Sequence, residues 1–241
     1  MTNHRPTPIA NPTIAQVLQR FLAERRNTLA PKTFRKYEQV IRLLQRCLDG
    51  YAYQSLDKAE AALFDRLYDL NGDDHREFCE IFGPDHILPH IDWFLSFFMI
   101  RKVAASKELL RAAGTVTKQL AAWLGKNELA PGADVQNAIE SGAAAVRDLP
   151  NADELAHLLS RFAETQERGD EEDEMEDHFS ITKVEHGRIW LEGMVEGCRP
   201  GPIEVPEEIS RRCRVGWSIS GVVVRTRGRW RLVETWNVYP E

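Results

Sequence analysis

Pro31-Lys32-Thr33-Phe34-Arg35-Lys36-Tyr37-Glu38-Gln39-Val40-Ile41-Arg42-Leu43-Leu44-Gln45-Arg46-Cys47-Leu48 reads as one amphipathic helix. At about 100° per residue, Lys32, Arg35, Lys36, Gln39, Arg42 and Arg46 share an arc of roughly 120°. Phe34, Tyr37, Val40, Ile41, Leu44 and Leu48 take the opposite side, and Leu43 is the exception on the basic side. Pro31 stands where a first helical residue tolerates a missing N–H, and Gly50 is expected to end the helix. Five cations on one face repel one another by a few tenths of a kcal/mol per i,i+4 pair. An anionic partner such as DNA phosphate would relieve that repulsion and release counterions. The plainer account is that long cationic side chains only solubilise a surface.

Working outward, Thr13 is expected to cap a helix from Ile14 to Asn27 with Ile14, Val17, Leu18, Phe21 and Leu22 on one face. A further helix is predicted over 57–70, then a turn at Asn71-Gly72-Asp73-Asp74, a short helix over 75–82 and a buried aromatic helix over 87–104. Ser106 starts a helix running to Leu124 that Gly125 closes. Ala130-Pro131-Gly132 marks a boundary, followed by an Ala-rich helix over 133–148 and a short one capped by Asn151 or Asp153. Seven acids fall between Gly169 and Asp177, and such a self-repelling block reads as a solvated spacer. Beyond it the period changes to alternation. Phe179–Val184 and Arg188–Leu191 form a hairpin, and Val215–Arg225 and Trp230–Val238 form two strands about the turn Thr226-Arg227-Gly228-Arg229. The expected fold class is α+β in several domains: a disordered tail over 1–12, a helical bundle over 13–125, a helical and acidic linker over 126–177, and a small SH3-like or OB-like β-barrel over 178–241.

Composition is that of a soluble globular chain of 241 residues, 43% hydrophobic and 28% charged. No apolar run approaches the ~18–20 residues of a membrane span. Met1–Pro12 lacks the apolar core of a secretory signal, and Cys47, Cys79, Cys198 and Cys213 form no C-x-x-C pair. A cytoplasmic protein with reduced thiols and no membrane partner is therefore expected. The net charge of -6 is uneven. Residues 1–60 carry ten Lys and Arg against five acids, residues 61–177 eleven against twenty-four, and residues 178–241 ten against eight. A basic face survives in such a chain because local charges within about 8 Å set its field.

Thr13–Leu22, followed by Leu29-Ala30-Pro31-Lys32-Thr33-Phe34-Arg35-Lys36-Tyr37, resembles the opening of the SAM-like core-binding domain of phage integrases and tyrosine recombinases. The stretch Trp93–Leu124 is similar to that domain's last two helices. The resemblance covers roughly half the chain. It implies a helical module that clamps duplex DNA with the start of its second helix and the exposed face of its last. On this chain that implicates Lys32, Thr33, Arg35 and Lys36, with Arg111, Thr115 and Lys118 as partners on one face of the last helix. Arg42 and Arg46 extend the basic stripe. Two departures are Ala30, which replaces the family's capping Ser at ~1 kcal/mol of helix-start stability, and a longer segment over 50–86.

The recombinase catalytic half is not expected. No His-x-x-Arg occurs after residue 125, and Tyr239, the only tyrosine after Tyr68, closes a strand. No phosphate-loop, dinucleotide or zinc-protease motif is present either. The chain is thus expected to bind without catalysis, with no cofactor and no small-molecule substrate. His75, Cys79, His86 and His90 have i,i+4 spacings that suit a metal, but Gly83-Pro84 and Pro89 interrupt them, so no metal is expected and packing roles are preferred. On the barrel, Arg225, Arg227, Arg229 and Arg231 with Trp230 admit two readings of equal weight. They make nucleic-acid contact through phosphate pairing and stacking, or they form an exposed strand face with Val224, Trp230 and Leu232 turned inward. A protein partner at the barrel, or a scaffold role for the whole helical domain, is the alternative to DNA.

Overall fold

The computed structural model describes residues 8–166, 173–195 and 197–240. The chain divides into two compact units, one of residues 1–98 and 108–146, the other of residues 99–107 and 147–241. The fold is α+β, with a closed five-stranded barrel in its C-terminal part.

The first unit opens with α1 (Ile14–Arg26), whose Thr13 hydroxyl accepts from the Gln16 amide while the Gln16 side chain accepts from the Thr13 amide. This reciprocal pair satisfies two amides that helix geometry leaves unpaired. Thr13→Ala is expected to cost ~1 kcal/mol in denaturant unfolding. Helix α2 (Pro31–Tyr51) buries Phe34, Tyr37, Val40, Ile41, Leu44, Cys47 and Leu48, the face read from its period. Gly50 does not end it, because a glycine inside a helix weakens the helix without blocking its hydrogen bonds. Helix α3 (Lys58–Tyr68) starts at a capping box of Asp57 and Glu60. The short helix shrinks to α4 (Phe78–Ile81). The tail over 1–12 is corrected in part. Residues 1–7 lie outside the described residues, but the Ala10 amide donates to the Ile81 carbonyl at 2.9 Å, so the tail's end is docked.

The expected continuous helix over 87–104 is broken into a 3-10 turn at Leu88–His90, α5 (Ile91–Trp93), a π-helical turn at Phe94–Phe98 and α6 (Met99–Arg101), and a further 3-10 turn at Pro84–His86 precedes it. Pro84 and Pro89 supply no amide, which favours short turns at the start. Helix α7 (Lys107–Lys126) packs against α1. Its Trp123 ring meets Phe21 edge-on at 5.5 Å, and the Trp123 indole N–H donates to Glu24 at 2.7 Å. Gly125 stays inside the helix, where an added Cβ would meet Val135 at 3.0 Å, so it serves packing rather than closure.

Helix α8 (Gly132–Ala163) replaces the two helices expected over 133–148 and from 151 onward. It runs through Pro150, which removes one helical hydrogen bond, to the Val146 carbonyl, and the division between the units falls between residues 146 and 147. The helix survives this loss because each half is anchored. Its first half meets α7, where Gly114 and Gly142 let the backbones approach closely. In the second unit, Ala152, Leu155, Leu158 and Leu159 enter the barrel core. The second domain therefore begins well before residue 178.

The barrel comprises β1 (Asp173–Glu185), β2 (Arg188–Glu192), β3 (Ile203–Glu204), β4 (Ser218–Thr226) and β5 (Arg229–Tyr239), in the order β1-β2-β3-β5-β4. The proline-punctuated segment holds β3 and α9 (Glu207–Arg212). Part of the acidic block is not a spacer. Residues 169–172 lie outside the described residues, but Asp173–Asp177 pair with Arg225–Gly221 of β4. Strand pairing holds them because alternate side chains face solvent, and Glu174 and Glu176 stay exposed while Met175 packs on the core. Val223 and Leu232 point into the core. Val224 is buried too, but in a separate small cluster with Val222 and Val233, which corrects its assignment to the inward face.

Candidate nucleic-acid interface

On α2, Lys32, Thr33, Arg35, Arg42 and Arg46 are exposed and Lys36 is half-buried. On α7, Arg111 and Thr115 are exposed and Lys118 is half-buried. The Lys36 ammonium reaches across to the Glu108 carboxylate at 2.9 Å. The hydrogen bond from Lys36 holds the Glu108 carboxyl below its usual range, helped by the charges of Lys36 and Lys32 and, least, of Arg111. The Lys36–Glu108 ion pair sets the start of α2 beside the start of α7. Lys32, Arg35, Arg42, Arg46 and Arg111 form no ion pair among the described residues. Arg42 and Arg46 stand about 15 and 21 Å along the helix axis from Lys32, at about 1.5 Å per residue, and so belong to a separate part of the stripe.

Two members of the expected set do less than their spacing suggested. The Thr115 hydroxyl donates to the Arg111 carbonyl at 3.0 Å, the usual inward bond of a helical threonine. Lys118 lies against Gly142, whose added Cβ would meet the Lys118 amide at 2.9 Å, so α8 covers part of that face. Glu108 is the residue that sequence reasoning missed. An acid in the first turn of a helix is ordinary placement near the positive end of the helix dipole, and nothing local marks its approach to α2.

The four residues weighed as metal ligands have separate partners. His75 bonds the Tyr68 carbonyl at 2.6 Å, His86 meets Glu60 at 3.1 Å, and His90 bonds the His86 carbonyl at 2.8 Å and Ser55 at 3.0 Å. Cys79 is fully buried, and burial together with the neighbouring Asp49 pushes its thiol far up. Burial also raises Cys47 and Cys213 to about 12, which keeps both as neutral thiols. Among the described residues no group of three His, Cys, Asp or Glu is placed to hold a metal ion.

On the barrel, the β4–β5 turn has Arg227 and Gly228 both at positive φ, 50° and 75°, as the tightest hairpins require. Arg227 is exposed at its tip. The Arg225 guanidinium sits over the Trp230 ring at 5.7 Å from its centroid and 3.9 Å from Asp173. Arg229 is exposed, and Trp230 is half-exposed rather than turned fully inward. Tyr239 is buried on β5 beside His178, with ring centroids 5.4 Å apart. Among the described residues no helix is long and apolar enough to cross a membrane. Comparisons with protein-family models, with curated proteins and with solved structures found no match for the chain.

Proposed function

We propose that the helical unit binds duplex DNA, without making or breaking bonds in it, through the start of α2 and the start of α7. The observation that carries this reading is the Lys36–Glu108 ion pair at 2.9 Å, which sets the exposed Lys32 and Arg35 of α2 beside the exposed Arg111 of α7. Cations from two helices then converge on one strip of backbone, where each phosphate contact releases counterions. The resemblance to an integrase core-binding domain supports the same face. Glu108 acts as a local stand-in for phosphate. It holds Lys36 in place when no DNA is bound and competes with DNA for it.

The test is a salt titration of duplex binding by fluorescence anisotropy. Binding is expected to weaken linearly on a log–log plot with a slope of several units. Glu108→Gln frees Lys36 and is expected to raise duplex affinity severalfold and to steepen the slope by about 0.9. Absence of any duplex binding defeats the proposal and leaves the helical unit as a protein-binding scaffold.

A further inference from the structure

The barrel carries a second basic site that shares no residue with α2 or α7. The first residue of β2, strand β3 and the start of β5 enclose a partly open groove of about 590 Å³. Arg188, Arg229, Arg231, Trp230 and Glu204 line it. Strand pairing explains why residues so far apart in sequence meet there. Arg188 stands opposite Glu204 across β2 and β3, and Ile203 bridges to Trp230 in the parallel β3–β5 pair. Arg229 and Arg231 flank Trp230 along β5, and all three residues line the groove. Among the described residues three arginines, one carboxylate and Trp230 thus line the groove, and its volume suits an inserted group rather than a flat surface contact.

We propose that this groove binds single-stranded nucleic acid. Arg188 and Arg229 hold the backbone phosphates, and an unpaired base lies against Trp230. Guanidinium forks match phosphate oxygens, and an indole face accepts any base, so such binding is tolerant of sequence. A duplex fits poorly, because its bases are stacked inside the helix and cannot enter a recess without being flipped out. Of the expected barrel residues, Arg229, Trp230 and Arg231 belong to this groove. Arg225 and Arg227 do not line it, and Arg188 and Glu204 join it through tertiary pairing.

The test uses the full chain carrying Lys32→Ala, Arg35→Ala and Arg111→Ala, so that the helical face contributes little, titrated with fluorescein-labelled oligothymidylate. Binding is expected with a slope of about 0.7 per phosphate contact against log salt. Adding Arg188→Gln and Arg229→Gln is expected to weaken it by on the order of tenfold or more near 0.1 M salt. Adding Glu204→Gln instead is expected to tighten it about threefold, a gain that a folding defect does not produce. Equal affinity in the arginine variant, or no gain with Glu204→Gln, overturns the proposal. So does a lack of oligothymidylate binding, or displacement of the strand by thymidine monophosphate at matched nucleotide concentration, which marks a nucleotide pocket instead. Because the helical face is already removed, failure here leaves the duplex proposal standing.

Discussion

Replacing Lys32, Arg35 and Arg111 together by alanine is expected to lower duplex affinity on the order of 100-fold near 0.15 M salt. Counterion release sets this magnitude. Each lost phosphate contact removes about 0.9 from the log–log salt slope, so three remove nearly three units and their effect at that salt multiplies. Lys36 is left in place because its bond to Glu108 joins α2 to α7, and its loss mixes binding with packing. The three chosen side chains are exposed and without ion pairs among the described residues, so their removal leaves the fold intact. Circular dichroism and unfolding midpoints check that point. If affinity falls and the slope does not, the contacts are not to phosphate. If neither changes, the face is wrong.

The largest stability effects are expected at two glycines. An added Cβ at Gly114 would stand 2.5 Å from the Gly142 carbonyl oxygen and 2.6 Å from the Val146 amide. Both are backbone atoms and cannot rotate aside, so α7 and α8 have to separate. Gly114→Ala is therefore expected to cost about 1–3 kcal/mol or more and to lower the melting temperature by several degrees. Gly221 in β4 has the same constraint against the Glu234 carbonyl of β5, so Gly221→Ala is expected to destabilise the barrel similarly. Gly50 is the control. It lies inside α2 with nothing within 4 Å of an added Cβ, and Gly50→Ala is expected to stabilise by about 0.5–1 kcal/mol. Thermal and denaturant unfolding of the three variants separates steric from conformational effects. Gly114→Ala with unchanged stability would show that the α7–α8 contact relaxes freely.

Local rules made the early helices legible. Thr13, Asp57 and Pro31 mark helix starts through bonds or dihedral limits that involve only near neighbours, and the apolar period of α2 matches its buried face. Pro150 shows the limit of such rules. A proline inside a helical pattern reads as a break, yet contacts on both of its sides hold α8 together. Asp173–Asp177 misled in the same way. Acids in a row repel, but strand pairing with β4 turns alternate ones outward and supplies Arg225 across from Asp173.

The sequence by itself determined which residues carry charge, which face of each amphipathic helix is apolar and where the tight β4–β5 turn falls, because those depend on spacing along one segment. Only the tertiary structure decided which charges meet. Glu108 with Lys36, and Arg188 beside Arg229 and Trp230, are joined across distant segments. Such meetings follow from helix crossing and strand order, which are set by the packing of whole faces and leave no mark in the spacing of the residues involved.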